Sequence, residues 1–244
     1  MYSEKKILFG QKYPAKNYLG ITEGENKMKD EKISNYVKLC EDWADKFMKM
    51  DQENLRKRVP ELKEENGFLT LIHFGRKYGI SLNDGSICSM DGQQEPDTTE
   101  MLNIYTLLGY AKEGAFFMNK WVPFADLRNA RPFAPAYKVG ETDVFEATFS
   151  GHEKELREAF GKLGGKELPQ GDVGYEIRAF ECMPMRFFFW ERDEEFEAQG
   201  NILFDYSATD FNHVESAVSI ADVGIKRLAE LAGLPVRGKS FQMK

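Results

Sequence analysis

Three strand-type runs follow one another in the last third of the chain, and they constrain its fold more than any other feature. Tyr175 to Glu181 and Met185 to Glu191 are joined around Cys182-Met183-Pro184, and NILFDYS, residues 201–207, supplies a third run. A join this short closes an antiparallel hairpin, because parallel neighbours need a long crossover. The pattern also occurs earlier. Phe68 to Phe74 and Tyr78 to Leu82 flank a Gly-Arg-Lys turn, and Asn83-Asp84-Gly85 marks the next turn.

Around the hairpins the apolar period changes to three and four. Ile33, Tyr36, Val37, Cys40, Trp43, Ala44 and Phe47 predict an amphipathic helix from Glu31 to about Leu55, stopping before Pro60. Thr98 or Thr99 is placed to cap a helix carrying Met101, Ile104, Tyr105, Leu108 and Ala111, with Gly114 to end it. From Glu141 on, Val144, Phe145, Phe149, Leu156, Ala159, Phe160 and Leu163 fit a helical hairpin, or one helix broken near Ser150-Gly151, closed by Gly164-Gly165. In the final helix Asn212 is the expected N-cap, Glu215 completes a capping box, and Gly233 is the stop. WVPFADLRNARPFAPAYKVG, residues 121–140, reads as a loop packed on the body. The predicted class is α+β, with antiparallel hairpins forming a mixed sheet packed against several helices. Residues 1–30 are expected to form an N-terminal arm docking through Ile7, Leu8, Phe9 and Tyr18, and residues 31–244 a single domain.

Charge and cysteine usage narrow the function. A net charge of −7 argues against a nonspecific grip on nucleic-acid phosphates. No apolar run is long enough to span a membrane and the N-terminal stretch lacks the apolar region of a signal peptide, so a cytoplasmic location is expected. Cys40, Cys88 and Cys182 form no CxxC pair, which speaks against a disulfide framework or a cysteine-held metal site. Phosphate-loop, dinucleotide and GxSxG signatures are missing.

Two groups of residues remain as chemical candidates. Five carboxylates crowd the stretch from Glu191 to Glu197, and Asp205 follows at the end of the apolar run Ile202-Leu203-Phe204. Asp193, Glu194 and Asp205 can supply oxygen ligands to a divalent cation, with Glu215 as a further ligand or, like His213, a general base. The same cluster can simply solvate a turn, and Asp205 can cap loop backbone. The second group is aromatic: Trp121, Phe124, Phe133, Phe187, Phe188, Phe189 and Trp190 can wall a flat apolar ligand, or simply fill the core. His213 sits at a helix start that favours a neutral ring, and it can serve as an axial ligand, as can Met183 or Met185.

WERDEEF followed by ILFDYS and HVES resembles the domain-of-unknown-function 3786 family, found chiefly in anaerobic bacteria and archaea. The resemblance continues upstream through GDVGYEIRAFECMPM, AFGKLGG, WVPFADL and FGRKYGISLNDG, covering roughly residues 35 to 232. Glu197 departs from it, since the family's usual run has proline after the Glu-Phe pair. The resemblance implies one domain and an accessory or cofactor-handling role in anaerobic metabolism, with a corrinoid or iron–sulfur protein as partner; the flat ligand that the aromatic residues of this chain would then wall is a corrinoid or haem. A metal-dependent hydrolase built on the acidic residues is the alternative.

Overall fold

The computed structural model describes residues 23–92 and 94–238. The proposed docking residues Ile7, Leu8, Phe9 and Tyr18 lie outside the described residues. Contacts divide the chain into two units, Met1–Val37 and Lys38–Lys244. Every strand and all helices after the first belong to the second unit.

The first helix, α1 (Glu23–Phe47), ends eight residues before the expected stop, and α2 (Gln52–Arg58) follows. The interruption has a local cause. Asp51 turns its carboxylate onto the backbone N–H groups of Glu53 and Asn54, capping a new helix. Phe47 and Leu55 are nonetheless both fully buried.

Strands β1 (Lys63–Glu65), β2 (Phe68–His73), β3 (Arg76–Ser81) and β4 (Ile87–Ser89) form a sheet in that order, every pair antiparallel. The turn between β2 and β3 is Phe74-Gly75, not the Gly-Arg-Lys expected, and Arg76 and Lys77 belong to β3. Both turn residues have positive φ, 43° and 77°, as the tight hairpin turn requires. A phenylalanine there is strained. The burial of its ring, which meets Gly224 of the last helix, holds it in place.

Helix α3 (Thr98–Tyr110) is capped by Asp97 rather than Thr98 or Thr99. The Asp97 carboxylate accepts from Thr99 and Glu100 N–H, and Glu100 reaches back to the Asp97 N–H. A charged acceptor outcompetes the hydroxyls.

The expected loop after residue 120 holds several short elements. They are β5 (Trp121–Pro123), two 3₁₀ turns, α4 (Ala134–Tyr137) and a π-helical turn, Lys138–Thr142. That turn runs directly into α5 (Asp143–Phe149), and α6 (Glu153–Lys162) follows. Then come β6 (Lys166–Glu167), β7 (Val173–Phe180), β8 (Met183–Trp190) and β9 (Gln199–Asp205). With β5 they make a second sheet, order β5-β9-β8-β7-β6, again antiparallel throughout. The chain closes with α7 (Ala208–Phe211) and α8 (Val214–Ala232). The class is α+β, and the hairpins are shared between two sheets.

One face of the second sheet carries Ile177, Met185, Phe187, Phe189, Ile202 and Phe204, all buried. Phe145 of α5 meets Phe187 and Phe189 edge-on, and Phe160 of α6 stacks on Tyr175 at 4.8 Å between centroids. A bulge between Arg178 and Phe180 links the two sheets. It takes Ala179 out of the ladder, and its carbonyl accepts the Phe74 N–H (3.0 Å) and lies 2.9 Å from His73 Nδ1. His73 is therefore a core histidine. Burial pushes its pKa down to about 3, so the ring is neutral and donates from Nδ1.

Candidate functional site

The acidic stretch after β8 is a turn organised by its own carboxylates. Asp193 accepts from the backbone N–H groups of Glu195 and Phe196, both at 2.8 Å, and these bonds hold its carboxyl below the usual range. Glu191 accepts from Gly151 N–H at 2.7 Å, pinning the turn to the start of α6. Glu194 is exposed. Among the described residues, no three His, Cys, Asp or Glu side chains come together in a way that could hold a metal ion. Distance separates the proposed ligands further. The acidic turn precedes β9 and Asp205 ends it, so six residue steps, roughly 20 Å, lie between the strand's two ends.

Asp205 has a different occupation. It is buried, and its Oδ1 accepts from Met118 N–H (3.0 Å), Ser207 N–H (3.0 Å) and the Ser207 hydroxyl. Its Oδ2 accepts from Lys120 N–H at 2.8 Å. The carboxylate thus clamps residues 118–120 against the end of β9, which brings β5 into the sheet with Trp121 paired to Asp205. If clamping is its role, Asp205→Asn keeps the Oδ1 acceptor but sets an amide N–H against that of Lys120. It should cost about 1–2 kcal/mol in urea denaturation. Added Mg²⁺, Mn²⁺ or Ca²⁺ should then shift the melting temperatures of wild type and variant equally. A metal response confined to wild type would make Asp205 a ligand.

The clamp builds a surface. Phe116, Phe117 and Met118 stand exposed in succession, Phe116 at 67%. Phe117 meets Trp121 edge-on at 5.7 Å, and the Arg186 guanidinium lies 3.9 Å from the Trp121 ring centre. Beside them Lys120 and Arg128 both lie over the Tyr206 ring, at 4.2 and 5.0 Å. Asp210 fixes Arg128 in place and also binds Lys112 at 2.8 Å. Arg186 is in turn paired with Glu176 at 2.9 Å, so this is an aromatic face edged by ion pairs, with a small positive excess in a chain of net charge −7.

The other aromatic candidates lie apart from one another. Phe124 is core, stacked on Tyr137 at 4.3 Å and edge-on to Phe204. Trp190 shares the outer sheet face with Trp121, but it pairs with Gln199 at the opposite end of β9. Met183 and Met185 are buried. His213, not Asn212, is the N-cap of α8, and its Nδ1 accepts the Glu215 N–H at 3.3 Å. Asn212 instead accepts the His213 N–H, one position earlier. Glu215 lies in the exposed first turn of α8, and the His213 ring faces Tyr110 at 5.2 Å.

Three features escaped the sequence reading. Glu100 of α3 accepts from the Tyr78 hydroxyl (2.6 Å) and Arg227 Nη2 (2.7 Å), all three side chains being buried. Asn103 joins His73 to Ser219. Glu141 is buried on the π-helical turn with both carboxyl oxygens unpartnered, as is the Tyr137 hydroxyl. The signal for Glu141 was present: it lies four residues before Phe145, on the apolar side of that helix.

Among the described residues no helix is long and apolar enough to cross a membrane. A family model described as Domain of unknown function (DUF3786) matches residues 53–227. Comparison with curated proteins and with solved structures returns no match.

Proposed function

The chain belongs to the domain-of-unknown-function 3786 family, and from that premise we propose that it is an accessory binding protein. Its functional surface is the face around Trp121. The observation that carries this reading is the run of exposed apolar side chains, Phe116, Phe117 and Met118, beside Trp121 and ringed by Lys112, Lys120, Arg128 and Arg186. Contiguous exposed aromatics are costly to leave in water and mark interaction sites, and Trp and Arg are the side chains that anchor them. Lys112 and Arg128 share Asp210 and Arg186 is paired with Glu176, so three cations meet two carboxylates, and with Lys120 the rim keeps a small positive excess that favours an acidic partner. The occupant that fits is a partner protein with an apolar patch edged by Asp and Glu, which is compatible with the metalloprotein partner that the family resemblance suggests.

The metal-dependent hydrolase draws no support from the geometry, because the Asp205 oxygens are occupied by protein donors and Asp193 and Glu194 lie at the other end of β9. A corrinoid or haem stacked on Trp121 is separable from the protein partner by titration. Such a ligand would shift its own absorption spectrum on binding, and Trp121→Ala would abolish the shift.

A photo-crosslinking residue at Phe116, introduced in the native host, tests the reading. An adduct with a second protein is expected, and none from the same probe at Lys154, which is exposed on α6. Once the partner is in hand, Trp121→Ala should weaken binding by about 2 kcal/mol, roughly thirtyfold. Equal labelling from both positions would refute the assignment of this face.

A further inference from the structure

We propose that Glu141 is a proton-binding site that keeps the π-helical turn Lys138–Thr142 closed only while its carboxyl is neutral. The turn lies between α4 and α5 and packs on α8 and β9. Both Glu141 oxygens are buried without a hydrogen-bond donor, and one helical turn earlier the Tyr137 hydroxyl is buried in the same condition. An ionised carboxylate so placed has lost its water and gained nothing in exchange.

The neighbouring charges do not relieve it. From α8, Asp222 and Lys226 face the turn, and they are bonded to each other. On the turn and α5, Lys138 is paired with Asp143, and Glu146 accepts the Gly200 N–H. At the end of β9, Asp205 is filled by its clamp. Burial first, and the Asp222 carboxylate second, push Glu141 up to about 8, with Lys226 opposing them. Glu141 therefore enters the physiological range as an acid. Raising the pH forces a choice between a bare buried charge and an opened turn. A π-helical turn carries one residue more than the α-helix around it, so it can rearrange without unwinding its flanks.

The sign of the linkage is set by the raised value. Below about 4.5, the usual glutamate value, folded and unfolded chains are both protonated, and the stabilisation is fully present. Between there and about 8 only the folded chain holds the proton, so each pH unit raises the unfolding equilibrium constant tenfold. Above about 8 the contribution is lost. Glu141→Gln has the same shape, carries no titrating group and mimics the neutral form.

Urea denaturation at intervals from pH 5 to pH 9 should show the wild-type unfolding constant climbing about tenfold per unit relative to Glu141→Gln, then levelling near pH 8. Asp222→Asn removes the neighbouring anion and should move that levelling to lower pH. Hydrogen–deuterium exchange gives a local readout. At pH 9 the amides of residues 138–142 should exchange faster in wild type than in Glu141→Gln, and at pH 6 alike. Parallel stability profiles for wild type and Glu141→Gln, or equal exchange at pH 9, would overturn the proposal.

Discussion

Arg227→Met will destabilise the protein by about 3–5 kcal/mol, with an unchanged dependence of the unfolding free energy on urea. The reason is the charge left behind. Glu100 lies between α3 and α8, accepting from Tyr78, from Arg227 and, through its second oxygen, from the Asp97 N–H. Burial, followed by the bond to Glu100, raises the Tyr78 phenol to about 12, so that phenol stays a donor throughout the working pH range. Removing Arg227 leaves a carboxylate in the core with neutral donors only. A double-mutant cycle separates the pair from its surroundings. Arg227→Met with Glu100→Gln should recover most of the loss. About 1 kcal/mol should remain for the weakened cap of α3. Strict additivity of the two changes would mean that the ion pair does not couple α3 to α8.

Phe187→Ala will cost about 3–5 kcal/mol, while Trp190→Ala, three residues on, will cost about 1 kcal/mol or less. Phe187 is fully buried, 5.6 Å from Phe145 and 5.8 Å from Phe160 between ring centroids, with Tyr175 and Ile202 beside it on the neighbouring strands. The cavity left by its ring is lined by those rigid groups, and close packing prevents their collapse into it. Trp190 is 39% exposed on the other face, so its removal leaves an open groove that water fills and no closed cavity. Thermal or urea denaturation of the two variants checks this directly. If Phe187→Ala cost less than about 1.5 kcal/mol, the aromatic run would be free to wall a ligand instead of filling the core.

That contrast shows how far the run Phe187-Phe188-Phe189-Trp190 can be read. Its alternation along β8 marks a strand, but four aromatics in a row do not say which face meets the helices. Phe188 is also buried, so the two faces do not divide into apolar and polar in the sequence. The helix caps lie one or two residues from the expected positions for a related reason. Asp97, Thr98 and Thr99 are all acceptable caps by residue type, whereas His213 caps in place of the favoured Asn212, so the choice depends on where the chain arrives. The Asn66-Gly67 turn that starts the β1–β2 hairpin was a clear local signal that the sequence reading passed over; both residues have positive φ.

The candidate sites were less legible than the elements. His213, Trp121, Phe124 and Trp190 were grouped by type, and the fold places them at a helix start, an outer face, the core and the far end of β9. What distinguishes Trp121 is its company, Arg186 and Phe117 at its ring, and neither adjoins it in the chain.

The amino-acid order by itself determined the α+β class, the hairpins of the last third, the final helix and its stop at Gly233, and the family. These rest on hydrogen bonds and side-chain periods that span a few residues, so neighbours in the chain suffice to specify them. Only the tertiary structure decided that the hairpins form two sheets, that Asp205 is filled by donors 85 and 87 residues away, and that Arg227 meets a carboxylate 127 residues distant. The same holds for Glu141, whose proton affinity comes from the burial that α8 and β9 impose on it. A carboxylate's chemistry depends on the water it has lost and the donors it has found, and both are set by segments remote in sequence.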